Sequence, residues 1–262
     1  MANPGSAAPV EPRGQAGSES NPGDNVAPLQ RARPRACVVI PARDEAAAVA
    51  DVVADIHALG LTAVVVDDYS ADATVHVARK AGATVLQLPF HAGSWAAIQT
   101  GIRFARATGF YRVITVDADG QHDPADIATL IARLDAPDGP NVVIGACPRR
   151  ANRRRRLAWR ALRWLSGLDV EDLTSGFRAY DARATALLAD EQHALLEYQD
   201  VGVLLCLKAA GLRLEEIPVD MHLRRDGISR IFSSWPMVAY YLVYSALIGS
   251  SRRFRRYRES DR

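Results

Sequence analysis

Short apolar runs alternate with segments of helical periodicity between residues 35 and 144. The apolar runs are rich in Val, Ile and Ala, and they predict strands at 37–40, 63–66, 84–88, 113–116 and 141–144. The segments between them predict helices at 45–59, 73–81, 95–108 and 124–134. Continuous apolar runs are typical of strands covered on both faces, and this alternation is typical of parallel sheets. The pattern therefore predicts an α/β fold with a mainly parallel central sheet.

The two ends of the chain differ from this pattern. Residues 1–34 are rich in Pro, Gly, Ser and Ala and contain few large apolar side chains, so we expect a disordered tail. The ordered domain is expected at 35–232. Residues 233–262 predict a basic, amphipathic C-terminal helix, because a Ser-Ser-Trp-Pro start is followed by tyrosines and by five arginines within residues 252–258. Its apolar part is shorter than the roughly 20 residues of a spanning helix. A position in the membrane interface, packing on the domain and a dimer contact all remain open for this helix.

Composition adds little about partners but favours a cytoplasmic protein. The net charge is only +2, although eight arginines lie within residues 149–163. The three cysteines form no close pair, which disfavours a disulfide scaffold or a structural zinc site and favours a reducing compartment. No apolar segment typical of a secretory signal is present near residue 1.

Acidic residues follow three of the predicted strands. Glu45 lies just past the first strand, Asp67 and Asp68 end the second, and Asp117 and Asp119 end the fourth. The carboxyl ends of parallel strands meet at the edge where α/β proteins bind ligands. Alternate residues of a strand point to the same side, so Asp117 and Asp119 are expected to converge. Paired carboxylates suit Mg²⁺ or Mn²⁺ bridging to a phosphate.

The alternative for such residues is a polar turn that caps the next helix. We expect this role for Asp72 and Asp123, which precede the helices at 73–81 and 124–134. Capping explains less well a doubled Asp at the ends of two separate strands.

Several ordered motifs resemble those of the family 2 glycosyltransferases. Residues 41–45 resemble the opening Pro-x-x-Asn-Glu of that family, and residues 66–74 resemble its Val-Asp-Asp-Gly-Ser-x-Asp-x-Thr. Residues 117–124, Asp-Ala-Asp-Gly-Gln-His-Asp-Pro, resemble the metal motif of its dolichol-phosphate-mannose synthase-like, polyprenyl-phosphate branch. The Ser-Gly-Phe-Arg at 175–178 and the basic segment 224–230 also resemble that branch. The resemblance covers roughly residues 36–232.

This resemblance implies a GT-A domain, which is a Rossmann-like domain that binds a nucleotide-sugar. The donor would be linked to UDP or GDP. By the matching positions, the residues implied in nucleotide-sugar binding are Pro41, Ala42, Glu45, Asp67, Asp68 and Ala118. The implied ligands of Mg²⁺ or Mn²⁺ are Asp117, Asp119 and Gln121, and Asp119 also counts as a catalytic residue.

On the acceptor side the resemblance implies a polyprenyl phosphate or a saccharide. The implied acceptor and phosphate contacts are Ser94, Arg149, Arg178, Arg224, Ser229 and Arg230. Asp200 matches the position of a general base that deprotonates a hydroxyl acceptor. A lipid phosphate needs no base, and Asp200 then only positions groups or caps a helix predicted at 201–210.

Three positions depart from the family pattern. Tyr69 replaces a turn glycine, Gly-Ser-Trp at 93–95 replaces Gly-x-Gly, and Gly-Ala-Cys at 145–147 replaces Gly-Ser-Arg. These changes keep open which sugar and acceptor are used. They also keep open a non-catalytic nucleotide-binding or membrane-scaffolding module, because fold and motif do not guarantee activity.

The arginine-rich segment 149–163 alternates arginines with Leu and Trp at helical spacing and predicts a basic amphipathic helix. Contact with anionic lipid, binding of an acceptor phosphate, nucleic-acid binding and a solvated helix face are all compatible with it. With the motifs above, we expect no nucleic acid. The expected function is a metal-dependent inverting glycosyltransferase that transfers a sugar to a polyprenyl phosphate. We expect it to be peripheral to the cytoplasmic membrane face, and a homo-oligomer remains open.

Overall fold

The computed structural model describes residues 35–147, 168–173, 175–191 and 201–221. Seven strands are present in this part of the chain: β1 Ala36–Ala42, β2 Thr62–Asp67, β3 Thr84–Gln87, β4 Arg112–Thr115, β5 Val142–Ala146, β6 Arg178–Tyr180 and β7 Leu214–Pro218. The helices are α1 Val49–Ala58, α2 Thr74–Lys80, α3 Ser94–Ala107, α4 Pro124–Leu134, α5 Ala182–Leu188 and α6 Val201–Ala209.

The strands form one sheet in the order β3-β2-β1-β4-β6-β5-β7. β1 pairs in parallel with β2 and β4, β2 with β3, and β5 with β7. β6 runs antiparallel to both of its neighbours, β4 and β5. The predicted α/β fold with a mainly parallel sheet is therefore confirmed.

The sheet is covered by apolar side chains on both faces. Cys37 and Val39 of β1 pack in one core cluster with α3, whereas Val38 and Ile40 pack in the other with α1 and α4. Successive residues of a strand point to opposite faces, so a run of four buried residues needs a cover on each side. This arrangement explains why β1 and β2 read as continuous apolar segments.

The structure differs from the sequence prediction at the start of α1 and in three elements that were not predicted. α1 begins at Val49 rather than at residue 45, because residues 45–48 form a turn in which Val49 N donates to Glu45 O at 3.0 Å. The Glu45 N–H itself donates to Thr74 Oγ1 at 2.8 Å, which holds that turn against the next loop. β6, β7 and α5 were not predicted, since each is short and lacks a clear apolar period. The helix predicted at 201–210 is confirmed as α6.

Three predicted segments lie outside the described residues. They are the tail at 1–34, the basic segment at 149–163 and the C-terminal helix at 233–262. Their expected structures stay predictions. Where residues are described, no helix has both the length and the apolar character that a membrane crossing requires.

The close approach of α3 to β1 can be tested at Gly101. A Cβ at this position would overlap with Cγ1 of Val39. We expect Gly101→Ala to lower the free energy of unfolding by about 1–3 kcal/mol, because overpacking forces side chains and backbone to shift. Urea unfolding of Gly101→Ala, Val39→Ala and the double variant measures this effect. The double variant should lose less free energy of unfolding than the two single variants lose in sum, because Val39→Ala makes room for the added methyl group. Strictly additive losses would contradict the proposed clash.

Candidate active site

The carboxyl ends of β1, β2 and β4 lie at one edge of the sheet. Ala42 pairs with Asp67, and the Asp68 N–H donates to Ala42 O at 2.9 Å. On the other side of β1, Thr115 pairs with Val39. The loops that follow these three strands therefore start next to one another, as the parallel arrangement predicts.

The loops after β1 and β2 are joined by reciprocal hydrogen bonds. The Asp44 N–H donates to Ser70 Oγ at 2.9 Å, and the Ala71 N–H donates to Asp44 Oδ1 at 2.7 Å. Asp44 and Tyr69 both adopt left-handed backbone conformations, with φ of 54° and 64°. Tyr69 thus keeps the backbone conformation that favours glycine, the residue of the family motif, while its side chain is exposed.

Asp72 makes a second connection between these two loops. Its carboxylate accepts hydrogen bonds from the N–H and hydroxyl of Thr74 and, at 3.1 Å, from the Ala46 N–H. Burial alone would raise the pKa of Asp72, but the hydrogen bonds from Thr74 and Ala46 lower it below its ordinary value. Asp72 therefore ties two loops together, in addition to the helix-start role expected from sequence.

Asp68 anchors the loop in front of α3. Its carboxylate is 4% exposed. It accepts hydrogen bonds from Ala92 N at 2.7 Å and Gly93 N at 3.0 Å, and it contacts His91 Nδ1 at 2.7 Å. These contacts position Ser94, the first residue of α3. Both oxygens of Asp68 thus have protein partners.

Asp67 differs from Asp68 although the two are adjacent. Its side chain is buried, and Oδ2 accepts a hydrogen bond from Ser70 N at 3.3 Å. Oδ1 is buried and has no hydrogen-bond partner among the described residues. A buried carboxylate oxygen without a partner is costly, so Asp67 Oδ1 is the better candidate for a ligand contact.

Asp117 and Asp119 lie beyond the end of β4 at Thr115. Asp119 is in a turn, where its Oδ1 accepts from Gln121 N at 3.1 Å and Gly120 has φ of 70°. Both residues lie outside β4 and Asp119 lies in a turn, so strand geometry does not apply to the pair, and the convergence of their carboxylates stays a prediction. The Asp117 side chain is 45% exposed, whereas Asp119 is 9% exposed.

The remaining predicted residues of this edge occupy different depths. Ala42, Ala118 and Gln121 are buried, and Pro41 and Glu45 are partly exposed. Asp123 caps α4 by accepting from Ala125 N at 2.8 Å, as expected.

Two residues that the sequence analysis did not single out contact Asp117. His122 Nε2 lies 3.7 Å from Asp117 Oδ2, and a Cβ on Gly176 would lie 3.1 Å from Asp117 Oδ1. Gly176 belongs to the Ser-Gly-Phe-Arg motif, which β6 brings to the end of β4. Arg178 of the same motif is buried within β6, where it pairs with Thr115 and Ile144. The motifs at 117–124 and 175–178 were both visible in the sequence. Neither motif by itself indicates that Gly176 lies against Asp117.

The donor set at 117–121 fits a divalent cation of the magnesium type. Mg²⁺ is commonly held by one or two carboxylates together with substrate phosphates and water, and two carboxylates are present here. Among the described residues, no three His, Cys, Asp or Glu side chains are grouped to hold a metal by themselves. Five predicted site residues, Arg149, Asp200, Arg224, Ser229 and Arg230, lie outside the described residues.

An α/β domain with carboxylates at adjacent strand ends agrees with the GT-A fold that the sequence motifs imply. The family model "Glycosyl transferase family 2" matches residues 37–186, more than half of the chain. The chain belongs to this family and is a glycosyltransferase.

Relatives with assigned names include polyprenyl-phosphate enzymes. A polyprenol monophosphomannose synthase from Mycolicibacterium smegmatis is 29% identical over 164 residues, 56% of this chain and 61% of that protein. An undecaprenyl-phosphate mannosyltransferase from Micrococcus luteus is 29% identical over 188 residues, 64% of this chain and 74% of that protein. An uncharacterised glycosyltransferase from Mycobacterium tuberculosis is 31% identical over 209 residues, 75% of this chain and 89% of that protein. The expected resemblance to the polyprenyl-phosphate branch is confirmed at this level.

Solved structures confirm the GT-A fold. Glucosyl-3-phosphoglycerate synthase from Mycobacterium tuberculosis, in complex with phosphoglyceric acid, superposes with a TM-score of 0.64. The two sequences are 20% identical, and the superposition covers 83% of this chain and 80% of the synthase. The same protein in complex with Mn²⁺, UDP and glucosyl-3-phosphoglycerate has a TM-score of 0.63 at the same identity and coverage.

The loop connection at Asp72 generates a pH-dependent prediction. We expect Asp72→Ala to lower the free energy of unfolding by about 1 kcal/mol at pH 7, a low value because the carboxylate is solvent-exposed. The pKa of this carboxyl is lower in the folded state, so its contribution is present above its ordinary pKa of 3.8 and is lost as the pH falls through the folded value. Denaturant unfolding between pH 7 and pH 3 measures the difference. The exposed Asp55→Ala on α1 is the control, and an undiminished difference at pH 3 would contradict the assignment.

Proposed function

We propose that the chain is a metal-dependent inverting glycosyltransferase that transfers a sugar from a nucleotide-sugar to a polyprenyl phosphate. The reaction would take place at the cytoplasmic face of the membrane. The observation behind this proposal is the set of buried carboxylates at the ends of β2 and β4 in a family 2 glycosyltransferase. The named relatives from Mycolicibacterium and Micrococcus support the choice of acceptor.

In this proposal the donor binds across the ends of β1 and β2. The loops after these strands form one surface of the proposed donor site. Hydrogen bonds to Asp44 and Asp72 hold the two loops together. Asp67 Oδ1 accepts a hydrogen bond from the nucleoside, a contact that satisfies its missing partner. Further contacts are proposed from Pro41, Ala42, Glu45, Asp68 and Ala118, and either UDP or GDP is compatible with them.

Asp117 and Asp119, with Gln121, are proposed to hold Mg²⁺ or Mn²⁺. When bound, such an ion neutralises negative charge on the departing diphosphate. The solved relative is described in complexes with Mn²⁺ and UDP and with Mg²⁺ and UDP, which supports a divalent ion here. Asp119 is largely buried and its orientation is set by the Gln121 N–H, so little reorganisation is needed on binding.

The proposed chemistry is a single displacement. An acceptor phosphate oxygen forms a bond to the anomeric carbon while the bond from that carbon to the diphosphate oxygen breaks, and the configuration inverts. The acceptor is already anionic, so no general base is needed. Arginine is well suited to phosphate, and Arg149, Arg178, Arg224 and Arg230 are proposed to orient the acceptor together with Ser94 and Ser229.

Membrane contact is proposed through the two basic segments, 149–163 and 233–262. Arginines interleaved with aromatic and aliphatic residues favour binding to an anionic interface, where a polyprenyl phosphate would be found.

The function is tested by incubation with a panel of UDP- and GDP-sugars, a polyprenyl phosphate, and Mn²⁺ or Mg²⁺. We expect transfer that stops on chelation of the metal and falls at least about 100-fold in Asp117→Asn and Asp119→Asn, because each removes a charged ligand. The exposed Asp55→Asn serves as the matched control and should retain activity. An absence of transfer and of metal-dependent donor hydrolysis across the whole panel would refute the proposal.

The alternative acceptor is a saccharide hydroxyl, which requires a general base. Asp200 immediately precedes α6 in the chain and is the candidate base. Asp200→Asn should leave transfer to a lipid phosphate nearly unchanged under the main proposal. A loss of several orders of magnitude in turnover would instead favour the hydroxyl acceptor.

A further inference from the structure

The Asp117 carboxylate lies between two groups that come from different parts of the chain. Oδ2 lies 3.7 Å from His122 Nε2, on the segment between β4 and α4. Oδ1 faces Gly176, where a Cβ would lie 3.1 Å away. The two contacts limit how this half-exposed carboxylate can turn.

The His122 side chain is buried and packed against an aromatic ring. Only 3% of the side chain is exposed, and its ring centroid lies 4.5 Å from that of Phe177. Its backbone forms an antiparallel bridge with Met221. Neither ring nitrogen has a hydrogen-bond partner among the described residues. A buried ring with two unused polar atoms is costly unless one of them is used in the functional state.

The segment that carries Gly176 is equally well fixed. Thr115 Oγ1 donates to Gly176 O at 2.6 Å, and Ser175 Oγ donates to Gly145 O at 2.6 Å. Gly176 does not adopt a left-handed conformation, so space rather than backbone freedom explains the glycine. The missing side chain leaves room for the Asp117 carboxylate.

We propose that His122 is a positioning residue for Asp117. In the tautomer with the proton on Nε2, its N–H donates to Oδ2, and this bond needs a closure of only about half an ångström from the observed distance. Gly176 leaves the space in which the carboxylate is held. This inference rests on the metal role proposed above for Asp117. A carboxylate whose rotation is restricted by an outer hydrogen bond loses less entropy on binding a cation, and such outer partners tune metal affinity.

The test compares two substitutions that separate hydrogen bonding from packing. His122→Phe keeps the ring against Phe177 but removes the donor. His122→Gln loses the ring but keeps an N–H near the position of Nε2. Mn²⁺ affinity is measured in the presence of UDP, and separately of GDP, from the decrease of the free Mn²⁺ electron paramagnetic resonance signal.

We expect His122→Phe to bind Mn²⁺ about 10- to 100-fold more weakly, and His122→Gln to stay within a few-fold of the unmodified chain. A merely structural role predicts the opposite order, because phenylalanine preserves the packing. The exposed His76→Phe on α2 is the matched control and should bind Mn²⁺ normally. Wild-type affinity in His122→Phe would overturn the inference.

Gly176→Ala provides a second and independent probe. Its methyl group would press on Asp117 Oδ1 without changing His122, so Mn²⁺ affinity should again fall while circular dichroism stays unchanged. If His122→Phe does not fold, normal Mn²⁺ binding by a folded Gly176→Ala overturns the inference. If the unmodified chain binds no Mn²⁺ with either nucleotide, the proposed function itself fails. This result differs from a failure of the His122 inference alone, in which the unmodified chain binds Mn²⁺ and the variants bind it equally well.

Discussion

Apolar cover on both faces of β1, β2 and β4 excludes polar side chains from the middle of these strands. Residues 37–40 of β1 and 64–66 of β2 are completely buried, and alternate residues belong to opposite core clusters. A charge within these strands would lose its hydration without gaining a partner. Carboxylates therefore appear only where the strands end, and the parallel register places those ends side by side. The site is a consequence of how the core is built.

The carboxylates at this edge divide into two groups by their hydrogen bonds. Asp68 and Asp72 accept several bonds from neighbouring loops and so determine the shape of the edge. Asp67 has a buried oxygen without a partner in the described structure, and Asp117 is half-exposed beside His122. Adjacent aspartates with the same chemistry thus have different roles, because backbone donors reach both oxygens of Asp68 but only Oδ2 of Asp67.

The antiparallel strand β6 brings the Ser-Gly-Phe-Arg motif next to the segment that follows β4. It lies between β4 and β5, which are consecutive strands along the chain before it. Its position brings Gly176 against Asp117 and Phe177 against His122. The carboxylate that follows β4 is therefore shaped by residues about 60 positions further along the chain.

The sequence by itself determined the fold class, the first five strands, five of the helices and the edge at which the carboxylates meet. These features follow from local apolar periodicity and from the rule that parallel strands end together. Only the tertiary structure decided that Asp119 lies in a turn, that Asp68 accepts hydrogen bonds from the loop before α3, and that His122 lies beside Asp117. Each of these depends on a contact between segments or on a turn closed by one hydrogen bond. Residue spacing contains no information about which donor will approach which carboxylate oxygen.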